Sequence, residues 1–169
     1  LGEVYKRQLL DYRNHHGDAL YMGERSPVAV QDSAAASRLA IAESLTNLLS
    51  AVPDDLGQTK LSANWMADAG SAGQDAALYA AVEAASRLCI ELGISIPVGK
   101  DSLSMRARWQ GDDGPRVELG SPVSLLVTAH APVRDLRRPL TPDISPALQT
   151  SLILLHLGAG TQPLAGPAL

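Results

Sequence analysis

Phenylalanine is absent from the 169 residues, and two Trp and four Tyr are the only aromatics. A core must therefore be built from Leu, Ile, Val and Ala. A single cysteine, Cys89, excludes an internal disulfide framework and a cysteine-built zinc site. No apolar run approaches the roughly 18 residues of a membrane span. The 14 basic residues do not cluster along any segment that would follow a phosphate backbone, so no nucleic-acid partner is expected. No signal peptide is visible, because the charged stretch near the start is not followed by an apolar region. What is present is 46% apolar residues and a net charge of −4. That content is ample for a packed core and too high for a disordered chain. The reading is a soluble protein of a reducing compartment, with one domain, or one domain and a piece of another.

Leu1 is not Met, and the chain is expected to start mid-protein. Residues 1–8 match nothing in the pattern that follows and are expected to stand outside the fold, as non-native or disordered sequence. Residues 9–145 form the expected domain, and 146–169 the truncated start of a second. Residues 11–30 read as loop, punctuated by Gly17, Gly23 and Pro27. Asp32 or Ser33 caps a helix to about Ser50, with Ile41, Leu45, Leu48, Leu49 and Val52 on its apolar face. A strand is predicted over 60–66. A second helix follows over 74–92, with Leu78, Val82, Ala85, Leu88 and Cys89 on one side and Gly93 as its stop. Residues 94–98 read as a strand and 103–109 as extended chain. A hairpin turn is predicted at 110–115, the best strand at 123–131, and a further strand at 151–157.

Three clusters could carry chemistry. Glu43, Thr46, Asn47 and Ser50 recur at helical spacing, so a carboxylate and an amide oxygen one turn apart could reach one hard cation. Ala35, Ala36 and Ala40 beside them would let a backbone or ligand approach. By spacing alone, the stripe reads more readily as a solvated helix face. Gly99-Lys100-Asp101-Ser102 reads as a glycine turn at a strand end, suited to an anion. It lacks Walker A spacing, and an ordinary turn with a surface Lys is the commoner case. Trp65 and Asn64 could line a pocket, though core packing plus a turn is the favoured explanation. His15, His16, His130 and His156 lack metal spacing. Cys89 has no base partner and reads as a buried structural thiol.

Read together, these segments resemble one family. Gly23-Glu24-Arg25-Ser26-Pro27, Ala42-Glu43-Ser44-Leu45-Thr46-Asn47, Lys60-Leu61-Ser62-Ala63-Asn64-Trp65-Met66 and Pro97-Val98-Gly99-Lys100-Asp101-Ser102-Leu103-Ser104-Met105 stand in the order and spacing of phosphoribosylformylglycinamidine synthases. The likeness is to the large single-chain form and runs over about 9–168. It implies the second of that enzyme's two domains related to aminoimidazole ribonucleotide synthase. The implied class is α/β (α+β), a PurM N-terminal-like domain with a mostly antiparallel sheet packed on helices. The domain after it would start near Ser151, although His156 and Ala165-Gly166-Pro167 depart from the family pattern.

The resemblance also implies a cytoplasmic protein and a reaction in purine biosynthesis. Formylglycinamide ribonucleotide, glutamine and ATP become formylglycinamidine ribonucleotide, glutamate, ADP and phosphate. It implies Glu43 and Asn47 as magnesium ligands at a nucleotide site holding ATP or ADP, and Gly99, Lys100 and Ser102 as nucleotide or substrate contacts. No catalytic residue is implied here. The remaining synthetase and glutaminase domains would be partners, no membrane partner is expected, and the segment alone should be inactive and poorly soluble or dimeric. A non-catalytic nucleotide-binding or scaffold module of the same fold is the alternative. The selenophosphate and thiamine-phosphate kinase branches fit the 60–66 and 97–105 runs less well.

Overall fold

In a computed structural model of the chain, the described residues are 5–111 and 114–141, with isolated positions 144, 149, 151, 153 and 154. The unit expected over 146–169, including its strand at 151–157 and His156, lies outside the described residues apart from those isolated positions. The elements run β1 Tyr5–Leu9, β2 Gly17–Glu24, α1 Ser26–Ala29, α2 Ser33–Leu48, β3 Lys60–Met66, α3 Gln74–Leu92, β4 Ser95–Ser102, β5 Arg106–Gln110, β6 Arg116–Gly120 and β7 Ser124–Val133. Five strands form one sheet in the order β1-β2-β7-β3-β4, and β5 pairs with β6 apart from it. Every pair in the large sheet is antiparallel except β3–β4. This is the mostly antiparallel sheet packed on helices that the resemblance implies.

β7 is the centre, bonded to β2 on one side and β3 on the other. Its alternation explains this place: Leu125, Val127, Ala129, Ala131 and Val133 are buried on the face that α2 covers. The Asp32 side chain caps α2 by accepting from Ala35 N–H at 2.8 Å. Ile41, Leu45 and Leu48 then point into the core, and Ala36 and Ala40 let the helix sit low on the sheet. Leu49 and Val52 were expected on the same face but are exposed, because the α-helix tightens into a 3-10 turn at Leu49–Ala51 and loses its register. α3 packs beside α2, burying Ala81, Ala84, Ala85 and Cys89, and ends at Gly93 with φ 68°. Leu78 and Leu88 also pack against buried residues, whereas Val82 is exposed.

Three sequence expectations are corrected. Residues 11–30 are not all loop: 17–24 form a buried strand whose glycines mark close approaches rather than turns. Residues 5–8 do not stand outside the fold, since Tyr5–Leu9 pairs with β2. Edge pairing is made by backbone groups, so side-chain pattern did not reveal it. β4 does not end at Val98 but runs through Ser102.

Candidate functional site

The sequence places Glu43 and Asn47 one turn apart on α2, and the structure brings both against the end of β2. Glu43 Oε2 accepts the backbone N–H of Glu24 at 2.7 Å. Asn47 Nδ2 donates to the carbonyl of Met22 at 3.0 Å. Gly23 lies between these two contacts, and a Cβ there would fall 2.1 Å from the Ala40 carbonyl oxygen. The small residues of α2 thus admit a backbone, as their size implies, and that backbone is β2. The second Glu43 oxygen, Oε1, pairs with Arg25 Nη1 at 2.8 Å. Glu24 folds its own carboxylate onto the N–H of Ser26 at the start of α1.

The stripe is therefore no free helix face. Both Glu43 and Asn47 are partly buried. Its other members have turned aside. Thr46 donates back to the Glu43 carbonyl at 3.0 Å, and Ser50 donates to the Tyr21 hydroxyl at 2.8 Å. Arg25 belongs to the site, and sequence reasoning missed its role. The Gly23–Pro27 run drew notice, but nothing local pairs Arg25 with a carboxylate 18 positions later.

Gly99, Lys100, Asp101 and Ser102 do not form a turn. They continue β4 in parallel register with β3, Gly99 opposite Ala63 and Lys100 opposite Asn64. Gly99 serves strand approach: a Cβ there would meet the Ala63 carbonyl oxygen at 2.8 Å. With the chain extended, successive N–H groups point in opposite directions and cannot converge on one anion. The Lys100 ammonium instead donates to Ser102 Oγ at 2.6 Å, on the same face of the strand. Asn64 stands beside Lys100, and its Oδ1 is buried without a hydrogen-bond partner. An open groove of about 300 Å³ runs along this edge between Trp65, Val98 and Lys100.

Glu24, Leu126, Asn64 and Lys100 form one cross-strand row. Three strand spacings, roughly 14 Å, separate its ends. The two predicted groups are thus not brought together: Glu43 and Asn47 hold one end of the row, Lys100 and Ser102 the other.

The remaining candidates read as structure. Trp65 packs partly buried against the core, as its packing explanation required. His130 lies on β7 facing Asp18, with Nε2 3.5 Å from Oδ1. His15 and His16 are exposed in the β1–β2 connection. Cys89 is buried, and burial pushes its thiol above the ordinary value. It is expected to resist a thiol-specific reagent at mildly alkaline pH until denaturant is added. Full labelling of the native protein within minutes would refute this. Among the described residues, no three His, Cys, Asp or Glu side chains gather where they could hold a metal ion.

Several Thermotoga maritima structures are similar to this chain. Phosphoribosylformylglycinamidine synthase II aligns with TM-score 0.59 and 20% identity, over 81% of this chain and 21% of that one. PurL complexed with ADP gives 0.60 and 20%, over 82% and 21%. PurL complexed with FGAR gives 0.57 and 21%, over 80% and 20%. The chain thus spans about a fifth of the length of the solved relatives, and at this identity the likeness establishes the fold. The sequence itself matches the FGAR-AT PurM_N-like domain over residues 6–132. That match starts within β1, ends within β7 and includes residues of all five strands of the large sheet. The chain belongs to the FGAR-AT PurM_N-like domain family.

Proposed function

We propose that the protein carrying this chain converts formylglycinamide ribonucleotide to its amidine with ATP and glutamine, and that this domain contributes a magnesium–nucleotide site. The observation supporting this reading is the seating of Glu43 and Asn47 against β2. A carboxylate has about four lone-pair sites, and Glu43 uses one on each oxygen. The Asn47 amide gives its N–H to Met22 and keeps Oδ1 as a free acceptor. One carboxylate and one amide oxygen on adjacent turns suit a hard cation that takes its other ligands from phosphate and water.

A magnesium ion, when bound, would neutralise phosphate oxygens. The residues do the positioning. β2 fixes the rotamers of Glu43 and Asn47 before ligand arrives, which reduces the ordering cost of binding. Arg25 balances the Glu43 charge from one side of Oε1 and leaves the second lone-pair site of each carboxylate oxygen to a cation. Lys100 and Ser102 supply a point charge and a hydroxyl at the far edge, where phosphate or substrate oxygens would be met.

The test is calorimetry of ADP with the full-length protein, with and without magnesium. Glu43→Gln is expected to weaken magnesium-dependent binding about tenfold or more. Equal affinity in parent and variant, or binding indifferent to magnesium, would remove Glu43 from the site. Glutamine-dependent turnover by the full-length protein separates a ligase from a binding module of the same fold.

A further inference from the structure

The β5–β6 hairpin is attached to the domain in an unusual way. Among the described residues, its strands pair only with each other and join no other sheet. One face carries Trp109, Val117 and Leu119, which are 48%, 38% and 64% exposed, so no core burial holds it. A lone two-stranded hairpin is marginal in water. Yet this one is seated by a charged side chain that is almost fully buried. Asp68, in the β3–α3 connection, is 5% exposed. Its Oδ1 accepts from Arg106 Nε at 2.7 Å and pairs with Arg106 Nη2 at 2.7 Å. Oδ2 accepts from Ser71 at 2.8 Å. The remaining arm of the guanidinium, Nη1, reaches Glu118 on the opposite strand at 2.8 Å, and Glu118 also holds Arg108 at 2.9 Å. Arg106 thus joins both strands of the hairpin to one carboxylate. The far strand closes over the same group: a Cβ at Gly120 would fall 2.2 Å from Asp68 Oδ2.

We infer that Asp68 is a latch, and that the β5–β6 hairpin is a separately opening unit held shut by it. The base of the hairpin is fixed independently. Met105 N–H bonds to Ala67 O at 3.1 Å and Ala69 N–H to Leu103 O at 2.9 Å. Opening therefore begins at Arg106 and leaves β3, β4 and β7 in place. The hinge, between Met105 and Arg106, lies three residues beyond Ser102, so the moving unit adjoins the strand end that carries Lys100. Opening and closing of this kind is measured by hydrogen exchange, in which a cooperative unit opens at its own free energy, below that of the whole domain.

The experiment is hydrogen exchange of the full-length protein resolved by peptide, for parent, Asp68→Asn and Arg106→Met. Loss of a hydrogen-bonded charge pair is expected to speed exchange of the β5 and β6 amides on the order of tenfold to a hundredfold in both variants. Exchange of β3 and β7 should stay at parent rates. Glu118→Gln, which spares the Asp68–Arg106 pair, should show a smaller change. Unchanged hairpin exchange in both variants would overturn the latch. So would acceleration that spreads to β3 and β7, or failure of either variant to fold, because each would make Asp68 a support of the whole domain.

Discussion

Gly23→Ala is expected to unseat α2 from β2 and to lower stability by about 3 kcal/mol, at the upper end of the overpacking range. The added methyl would stand 2.1 Å from the Ala40 carbonyl oxygen and 2.5 Å from the Ser44 nitrogen. Both are backbone atoms in mid-helix, so no side-chain rotation can relieve the contact. Either the helix lifts or the strand retreats from Val127, its partner on β7. Movement in either direction pulls on the two bonds that flank Gly23, from Glu43 to Glu24 N–H and from Asn47 to the Met22 carbonyl. On the function proposed above, the substitution should therefore weaken nucleotide binding while leaving Glu43 and Asn47 themselves unchanged. For a chain of this size the melting temperature should fall by about 6–12 °C. A melting temperature within a degree or two of the parent would show that the strand and helix have slack.

Ile41→Ala is expected to destabilise by about 2–5 kcal/mol, whereas Ile41→Val should stay within about 0.5–1.5 kcal/mol. The core is shallow in volume as well as in aromatic content. Many of its buried members are alanines, and Ile41, Leu48, Leu61 and Val127 are its largest fully buried side chains. Ile41 shares its cluster with Ala19, Ala40, Ala63, Ala85, Ala129 and Ala131, which have no side-chain rotation with which to fill a cavity. Domains commonly hold only 5–15 kcal/mol in total, so this one change could remove a large share. Urea denaturation provides the measurement: a lower midpoint with an unchanged slope is expected. A loss below 1 kcal/mol would mean that the helix settles into the space.

The helices were legible because their signals are local. Asp32 announces the start of α2, Gly93 the end of α3, and the apolar spacing between them needs no distant partner. β7 was equally plain, since a strand covered on one face alternates visibly. β2 was hidden for a physical reason. Its glycines at 17 and 23 read as turn punctuation, but they are needed where another segment presses against the strand. β4 was cut short by the same reading of Gly99. A glycine that permits a turn and one that permits contact look alike until the neighbour is known.

The site divides in the same way. The spacing of Glu43 and Asn47 was visible, because both lie on one helix. Their partners were not, because Met22 and Glu24 offer backbone groups that carry no sequence signature. The Asp68–Arg106 pair spans 38 positions and joins a loop to a strand. No periodicity could have announced it.

The order of strands in the sheet bears on how the polypeptide emerges during synthesis. β7, the last strand among the described residues, occupies the middle of the sheet. Until residue 133 has left the ribosome, β1–β2 and β3–β4 are two ribbons with no strand to join them. Each presents an unpaired inner edge, and α2 has only half of its platform. Closing the sheet brings β2 to a partner roughly a hundred residues further along the chain, a long loop to close late. A chain that stalls or is cut shortly before β7 therefore offers two sticky strand edges at once, and it is such shortened products that a cell's chaperones would be expected to meet most often.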